Sequence, residues 1–449
     1  MADSQEQTAS NMTRAWWAVG LFVVLYSLSF LDRHILALLA EPVGQSLNIP
    51  DTQMGFLIGS GFGVVYALTG LPLAHFVDRS HRVRIVAGGV TLWSVSTFAS
   101  AFAQDFTTLL ILRACVAVGE AVLSPAAISL IADMFPRDKR TMPTAIYTGV
   151  ASLMSSGAYT LGGAAYDIAT HLTASIDAEA WRIALVLVGV PGVVLAVILL
   201  LTVREPPRAA ADLSAENAFT TSQAVAYVKE NLSLYGCLFL CVASYTITVL
   251  GSIAWTPTFL IRAFNSNPAE AGYLFGLVGI TAGVVGATFW PVFVRNTIKK
   301  RPDAIITTLA CAASVGATSV ALLGLAPSLH LSLAAGAVTV FAGAVTAVLP
   351  PLVIQYAAPG RVRARLMAIN LMASSLIGLG MGPPIIAAIA DNFFDGPRAL
   401  GHAFVVMAVI FTPICIISGL AARPRYRHAL AEAERREAEG AALAAAKPA

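Results

Sequence analysis

Asp32 and Arg33 stand side by side inside an apolar run from Trp16 to Leu39 that is long enough to cross a bilayer. A bilayer core is roughly 30 Å thick, so about twenty apolar residues at about 1.5 Å rise each span it. A charge at that depth costs at least about 2.5–3.5 kcal/mol on insertion scales, and leucine would pack as well. The pair therefore faces a protein interior or a water-filled cavity and marks a candidate site. A second pair, Arg113 and Glu120, lies in another apolar run, seven residues apart. That spacing is nearly two helical turns, so both project from one face, about 10 Å apart along the axis. With the two helices as neighbours, four charges of balanced sign meet. In the functional reading Asp32 and Glu120 exchange protons, while Arg33 and Arg113 bias them and receive an anion, with Ser124 and Tyr245 as further substrate contacts. A phosphate that captures Arg33 would loosen its hold on Asp32 and leave that acid to take up a proton. The competing reading is a structural ion-pair network, although buried ion pairs add little net stability.

These side chains need membrane-spanning helices to hold them. The 449 residues are 57% apolar and only 12% charged, against about a quarter charged in a soluble domain. The first apolar run is too long for a signal-peptide core and lacks a small-residue cleavage site, so it is read as a first transmembrane helix. Twelve apolar segments lie near 16–40, 53–77, 83–104, 107–133, 141–166, 181–203, 232–262, 270–295, 303–325, 330–356, 364–390 and 400–422. Most exceed the spanning length, and Pro, Gly or charges fill the breaks.

A cytoplasmic N-terminus would put the basic residues in alternate loops. Arg79, Arg82 and Arg84, then Arg137, Lys139 and Arg140, then Arg204, Arg208 and Lys229 fall in that set. So do Arg295 to Arg301, Arg361 to Arg365 and the tail from Arg423, while the other set holds Arg182, Arg262 and Arg398. Both termini are therefore expected in the cytoplasm, and the Ala-rich composition favours a bacterial inner membrane. A polar stretch with Pro206 and Pro207 divides the chain into a six-helix bundle (1–203), a cytoplasmic linker (204–230), a second bundle (231–423) and a cytoplasmic tail (424–449). Within the linker, 219–228 reads as a short surface helix; the tail reads as frayed helix or disordered chain.

The halves look duplicated. Sliding the chain by about 223 residues pairs Pro136 with Pro359, Arg140 with Arg363, Ser152 with Ser375 and Gly157 with Gly380. A parallel repeat of two six-helix bundles is how a rocking secondary transporter is built.

At this point the residues resemble the major facilitator superfamily and, within it, the spinster-like branch of lysolipid and sphingoid-phosphate transporters. The loop Asp78-Arg79-Ser80-His81-Arg82-Val83-Arg84 is similar to the superfamily's Gly-x-x-x-Asp-Arg-x-Gly-Arg-Lys signature, with Ala74 in place of the leading Gly. Arg113 followed by Gly119-Glu120-Ala121, and the stretch Phe30 to Leu36 with Asp32 and Arg33, resemble the spinster branch. The resemblance implies an all-α membrane protein of twelve helices in two repeated bundles, and proton coupling through acids at these positions. It also implies a cytoplasmic gate in which Asp78 faces the start of the eleventh segment, where free N–H groups attract it. Arg82 or Arg79 would then bridge towards Asp133. The second half lacks this loop's acid: from Arg295 to Arg301 there is none until Asp303.

The rest of the chain is informative mainly by what it omits. From the seventh segment to the twelfth no charge stands at mid-membrane depth; Ser244, Tyr245, Thr246, Thr248, Thr346, Gln355, Ser374 and Ser375 supply the polar groups. Charge on one wall and apolar residues on the other suit an amphiphile with an anionic head. Cys115, Cys237, Cys241, Cys311 and Cys415 have no metal-ligand spacing and read as small buried hydrophobes. His34 and His75 read as packing. The Gly-rich stretches 157–163 and 378–384 read as close helix contacts, since none ends in the Gly-Lys-Ser/Thr of a phosphate loop.

The expectation is a secondary transporter, not an enzyme. It is expected to act as a monomer by alternating access, coupled to protons and without another cofactor. Its partners would be membrane lipids and a lysophospholipid or sphingoid phosphate, with no nucleic acid. The rivals are a superfamily transporter of small organic anions or drugs, and a lipid-modifying enzyme, for which no interfacial His-x-x-x-x-Asp cluster is found.

Overall fold

The computed structural model describes residues 2–175, 177–207, 221–298, 301 and 303–445, and among them there is no strand. The first apolar segment forms α1 (Ala2–Leu38), followed by the short α2 (Ala40–Leu47). The second is broken at Gly59 into α3 (Asp51–Ile58) and α4 (Ser60–Arg79), and the third is α5 (Arg82–Ser100). The fourth breaks at Ala121–Val122 into α6 (Phe106–Glu120) and α7 (Leu123–Met134). Then come α8 (Thr141–Leu172), α9 (Ala180–Thr202) and α10 (Thr221–Glu230), the last close to the expected surface helix. The second half comprises α11 (Leu232–Phe264), α12 (Pro268–Ile298), α13 (Ala304–Leu325), α14 (Leu329–Gly343) and α15 (Val345–Ala357). It ends with α16 (Gly360–Ala373), a π-helical turn Ser374–Leu379, α17 (Gly380–Phe393) and α18 (Ala399–Ala445), which continues as helix through most of the expected tail.

Nine of these helical stretches, counted among the described residues, are long and apolar enough to cross a membrane. The three other expected segments, α3–α4, α5 and α8, are helical as well.

The shift of about 223 residues that aligns the two halves lays α6 on Leu329–Gly343, the whole of α14. It carries the break after Glu120 onto the break after Gly343. Local signals explain the shared start. Asp105 caps α6, its Oδ1 accepting from the Thr108 N–H at 2.9 Å and its Oδ2 from the Thr108 hydroxyl at 2.8 Å. Those two hydrogen bonds, the backbone one first, hold the Asp105 carboxyl below its ordinary range. Ser328 stands at the same place before α14.

Grouped by proximity, the chain forms two compact units whose limits cut across chain order. The first unit contains 1–211, 251–280 and 379–400; the second contains 212–250, 281–378 and 401–449. In the first, Phe22, Leu25, Trp93, Leu130, Ile131 and Tyr147 belong to one core joining α1, α5, α7 and α8. Lipid is as apolar as leucine, so helices here associate by close packing and not by escape from water. Gly89 and Gly119 permit such an approach between α5 and α6: a Cβ on Gly119 would lie 2.6 Å from the Gly89 carbonyl oxygen. Gly119→Val should therefore lower stability by about 1–3 kcal/mol in a thermal melt of the purified protein. Gly20→Ala, where a Cβ meets nothing within 4 Å, serves as control; equal melts would show that the crossing tolerates a side chain.

Candidate functional site

All four membrane charges lie in the first unit. Successive residues on a helix point about 100° apart, so Asp32 and Arg33 leave α1 in different directions. Arg33 Nη2 donates to Glu120 Oε2 at 2.8 Å, and Ser29 Oγ donates to the same oxygen at 2.8 Å. Ser29 and Arg33 stand one turn apart, which brings both to the end of α6. Asp32 instead accepts a short hydrogen bond from Thr97 Oγ1 of α5. Arg113 pairs with neither acid directly. Its Nη1 and Nη2 donate to the backbone carbonyls of Asp32 and Arg33, each at 3.1 Å. It fastens the helix that carries the pair.

This overturns one expectation: the ion pair of Arg33 is with Glu120, and it has no hold on Asp32. Arg33 also lies in an aromatic enclosure, its guanidinium carbon 5.2 Å from the ring centre of Phe30, 4.8 Å from Phe62 and 5.1 Å from Tyr66. The Arg33 side chain is 18% exposed and that of Glu120 0%. Asp32, Arg113 and Glu120 are all buried. Among the described residues Asp32 Oδ2, Glu120 Oε1, Arg33 Nε and Arg113 Nε have no hydrogen-bond partner.

The further substrate contacts fare differently. Ser124 lies one turn beyond Glu120, its hydroxyl 3.2 Å from that of Tyr147. Tyr147 stacks on Tyr26 at 4.8 Å, and Tyr26 meets Phe30 at 5.1 Å. Tyr245 belongs to the second unit and is buried there; a Cβ on Gly316 would lie 2.6 Å from its hydroxyl. His34 packs against Tyr159, ring centres 5.0 Å apart.

On the face that carries the basic loops, Arg82 reaches Asp133 at 2.5 Å and Ser129 at 2.8 Å. It also reaches Glu205 at 2.6 Å, and Glu205 accepts from the Val83 N–H at 3.0 Å. Burial opposes the Arg82 charge, but its hydrogen bonds to Glu205 and Asp133 outweigh this and hold the guanidinium above its ordinary pKa. Of the two candidate bridges, Arg82 is the one made; Arg79 is exposed, and the Asp78 side chain lies outside the described residues. Glu205 escaped the sequence reading. Its signal was the one that singled out Asp78, an acid in a basic loop. In the second unit Asp303 pairs with Arg423 and, at 2.8 Å, with Arg427.

The opposite face carries a second cluster, also unanticipated. Arg262 of α11 binds Glu41 at 2.5 Å and Asp51 through two nitrogens. Beside it Asp391 of α17 accepts from the Thr52 N–H at 2.8 Å and the Thr52 hydroxyl at 2.7 Å, at the start of α3. Further along, a Cβ on Gly63 would sit 3.0 Å from the Gly380 nitrogen. The ends of α11 and α17 are thus bonded to the α2–α4 region within one unit.

The chain belongs to the Major Facilitator Superfamily, whose family profile matches residues 22–376. It is 29% identical over 442 residues to an MFS-type efflux pump of Mycolicibacterium smegmatis, covering 96% of this chain and 98% of that protein. It is also 29% identical over 447 residues to human protein spinster homolog 1, covering 90% of this chain and 80% of that one. A bacterial homolog of the human lysosomal transporter Spinster, solved in an inward-facing, unoccupied conformation, shares the fold. The TM-score is 0.75 at 24% identity, over 93% of this chain and 97% of that one. The protein is thus a membrane transporter of the Major Facilitator Superfamily, similar to spinster proteins in sequence, with the all-α major facilitator fold.

Since Asp133 and Glu205 share one guanidinium, Asp133→Ala and Glu205→Ala should be non-additive by about 0.5–3 kcal/mol in a stability cycle. Additive values would show that Arg82 does not couple them.

Proposed function

We propose that the protein is a proton-coupled secondary transporter of an anionic amphiphile, a lysophospholipid or sphingoid phosphate, working by alternating access between two six-helix bundles. One observation carries the reading: Arg33, the most exposed of the four charges, is held by Glu120, whose carboxylate is fully buried. An anionic head group that takes Arg33 leaves Glu120 without its cation, and a buried carboxylate without a cation takes up a proton. Anion and proton then favour each other's binding through the shared guanidinium. Arg113, engaged with the α1 backbone, acts on the head group by positioning Arg33. The uncharged middle of the second half supplies apolar residues for an acyl chain. By the positive-inside rule the basic face would be cytoplasmic, the Ala-rich composition favours a bacterial inner membrane, and a monomer would be the working unit. The relative described as an efflux pump favours a second reading, export of a drug or small organic anion through the same charges.

The test is uptake of radiolabelled lysophosphatidic acid, in a short-chain and a long-chain form, into proteoliposomes with and without a pH gradient. Gradient-driven flux that rises with chain length is expected, with the lipid recovered intact by mass spectrometry. Chain-length indifference would favour the small-anion reading, and a hydrolysed lipid would point to an enzyme. Glu120→Gln should abolish the gradient dependence, and Arg33→Ala should weaken binding about tenfold or more, the loss of one charge-assisted contact. Unchanged binding in Arg33→Ala would remove Arg33 from the head-group site.

A further inference from the structure

Asp32 has a second environment that the substrate pathway does not use. Among α1, α5, α6 and α9 lies a small cavity with Asp32, Thr97, Ser100 and Arg113 on its polar side and Leu109 and Leu185 on its apolar side. About 10 Å³ of it is open to the centre of a water molecule, room for about one. Two buried groups that border it lack partners among the described residues: Asp32 Oδ2, an acceptor, and Arg113 Nε–H, a donor. A water placed there would satisfy both, accepting from Arg113 and donating to Asp32. Ser100 gives its own proton to the Ser96 carbonyl at 2.8 Å, which leaves its oxygen free to accept the water's second O–H.

The cavity also has a direction. Thr97 and Ser100, three residues apart on α5, share a face and stand about 4.5 Å apart along the axis. Ser100 is the last residue of α5, and the turn beyond it reaches the surface at the exposed Gln104 and Asp105. This is the membrane face opposite the basic loops. Near Asp32 are Thr97 from α5, Arg113 and Glu120 from α6 and Leu185 from α9, with Arg33 and His34 beside it on α1. Arg182 of α9 is occupied at the rim, donating to the carbonyls of Ala101 and Ala103 at 2.8 Å.

We propose that Asp32 exchanges its proton with the face opposite the basic loops through the interior of this four-helix group, by way of a water held between Asp32, Arg113 and Ser100. An O–H bond forms at Asp32 Oδ2 as one breaks on the water. The Ser100 hydroxyl turns from the Ser96 carbonyl to give that water its proton and is itself reprotonated from solvent at the Gln104–Asp105 turn, and the reverse sequence discharges the acid. The route does not require the bonds of Arg262 to Glu41 and Asp51 to open. It rests on the proton-carrying reading of Asp32.

The test reads the proton itself, so no substrate is needed. Infrared difference spectra of the full chain in lipid vesicles give the carboxylic-acid band of Asp32, identified by its loss in Asp32→Asn. Its rate of hydrogen–deuterium exchange on transfer to deuterated buffer is the measurement. Ser100→Val should slow that exchange about tenfold or more, and Ser100→Thr, nearly equal in volume but with the hydroxyl restored, should exchange at the wild-type rate. Ser100→Ala, which adds no bulk, repeats the comparison should valine perturb the fold. Equal rates in the valine and threonine proteins would overturn the route while leaving Asp32 a proton carrier. Absence of any titrating Asp32 band in the wild-type protein would instead overturn the reading on which the route rests.

Discussion

An ionised carboxylate taken out of water is disfavoured by several kcal/mol unless a cation and hydrogen bonds replace the lost solvent, and that constraint organises the first unit. Glu120 meets it with Arg33 and Ser29 on a single oxygen. For both donors to reach it, they must stand one turn apart on α1, and α1 must cross α6 where α6 ends. Arg113 then holds α1 at that crossing through two backbone carbonyls, and the Gly89–Gly119 contact sets the distance of α5 from α6 beside it. Each of these features has a local explanation, and each also serves the placing of one buried charge.

The same helix geometry separates the two acids. Adjacent positions on α1 diverge, so Arg33 points to an aromatic enclosure and Glu120, while Asp32 points to Thr97 inside the helix group. The two carboxylates thereby acquire unlike surroundings, one held by a guanidinium, the other by a hydroxyl beside a small cavity. Unlike surroundings are what assign unlike proton tasks to chemically similar groups.

The positions of these residues were legible because a charge in an apolar run is conspicuous whatever surrounds it. Their pairing was not, because it depends on which neighbour each face of α1 meets, and hydrophobic periodicity is weak in a helix that is apolar all round. Glu205 and the Arg262 cluster were missed for another reason. They stand at helix ends, where charges are common and only the partner distinguishes a bonded residue from a solvated one. Tyr245 is a different case: a polar residue in an apolar half invites a substrate role, and it is buried beside Gly316 with its hydroxyl unpartnered among the described residues. Helix order, the linker helix and the repeat were readable from segment length and loop composition, since the bilayer imposes one length on every span.

The repeat bears on why the chemistry sits where it does. The fourth and tenth segments break at corresponding places, the first after Glu120 and the second after Gly343. The break therefore belongs to the shared framework and needs no charge to form it. The shift that aligns the breaks also sets Arg113 against Gly336. One copy of the segment thus carries a guanidinium and a carboxylate where the other carries two glycines, on the same backbone plan. The partners that these buried charges do have come from α1, α5 and α6 together. At the positions matching Ser29 and Arg33 the second half carries Ser252 and Thr256, hydroxyls with no cation among them. Concentrating the membrane charges in one half leaves the corresponding segment of the other uncharged, a division that a duplicated fold allows.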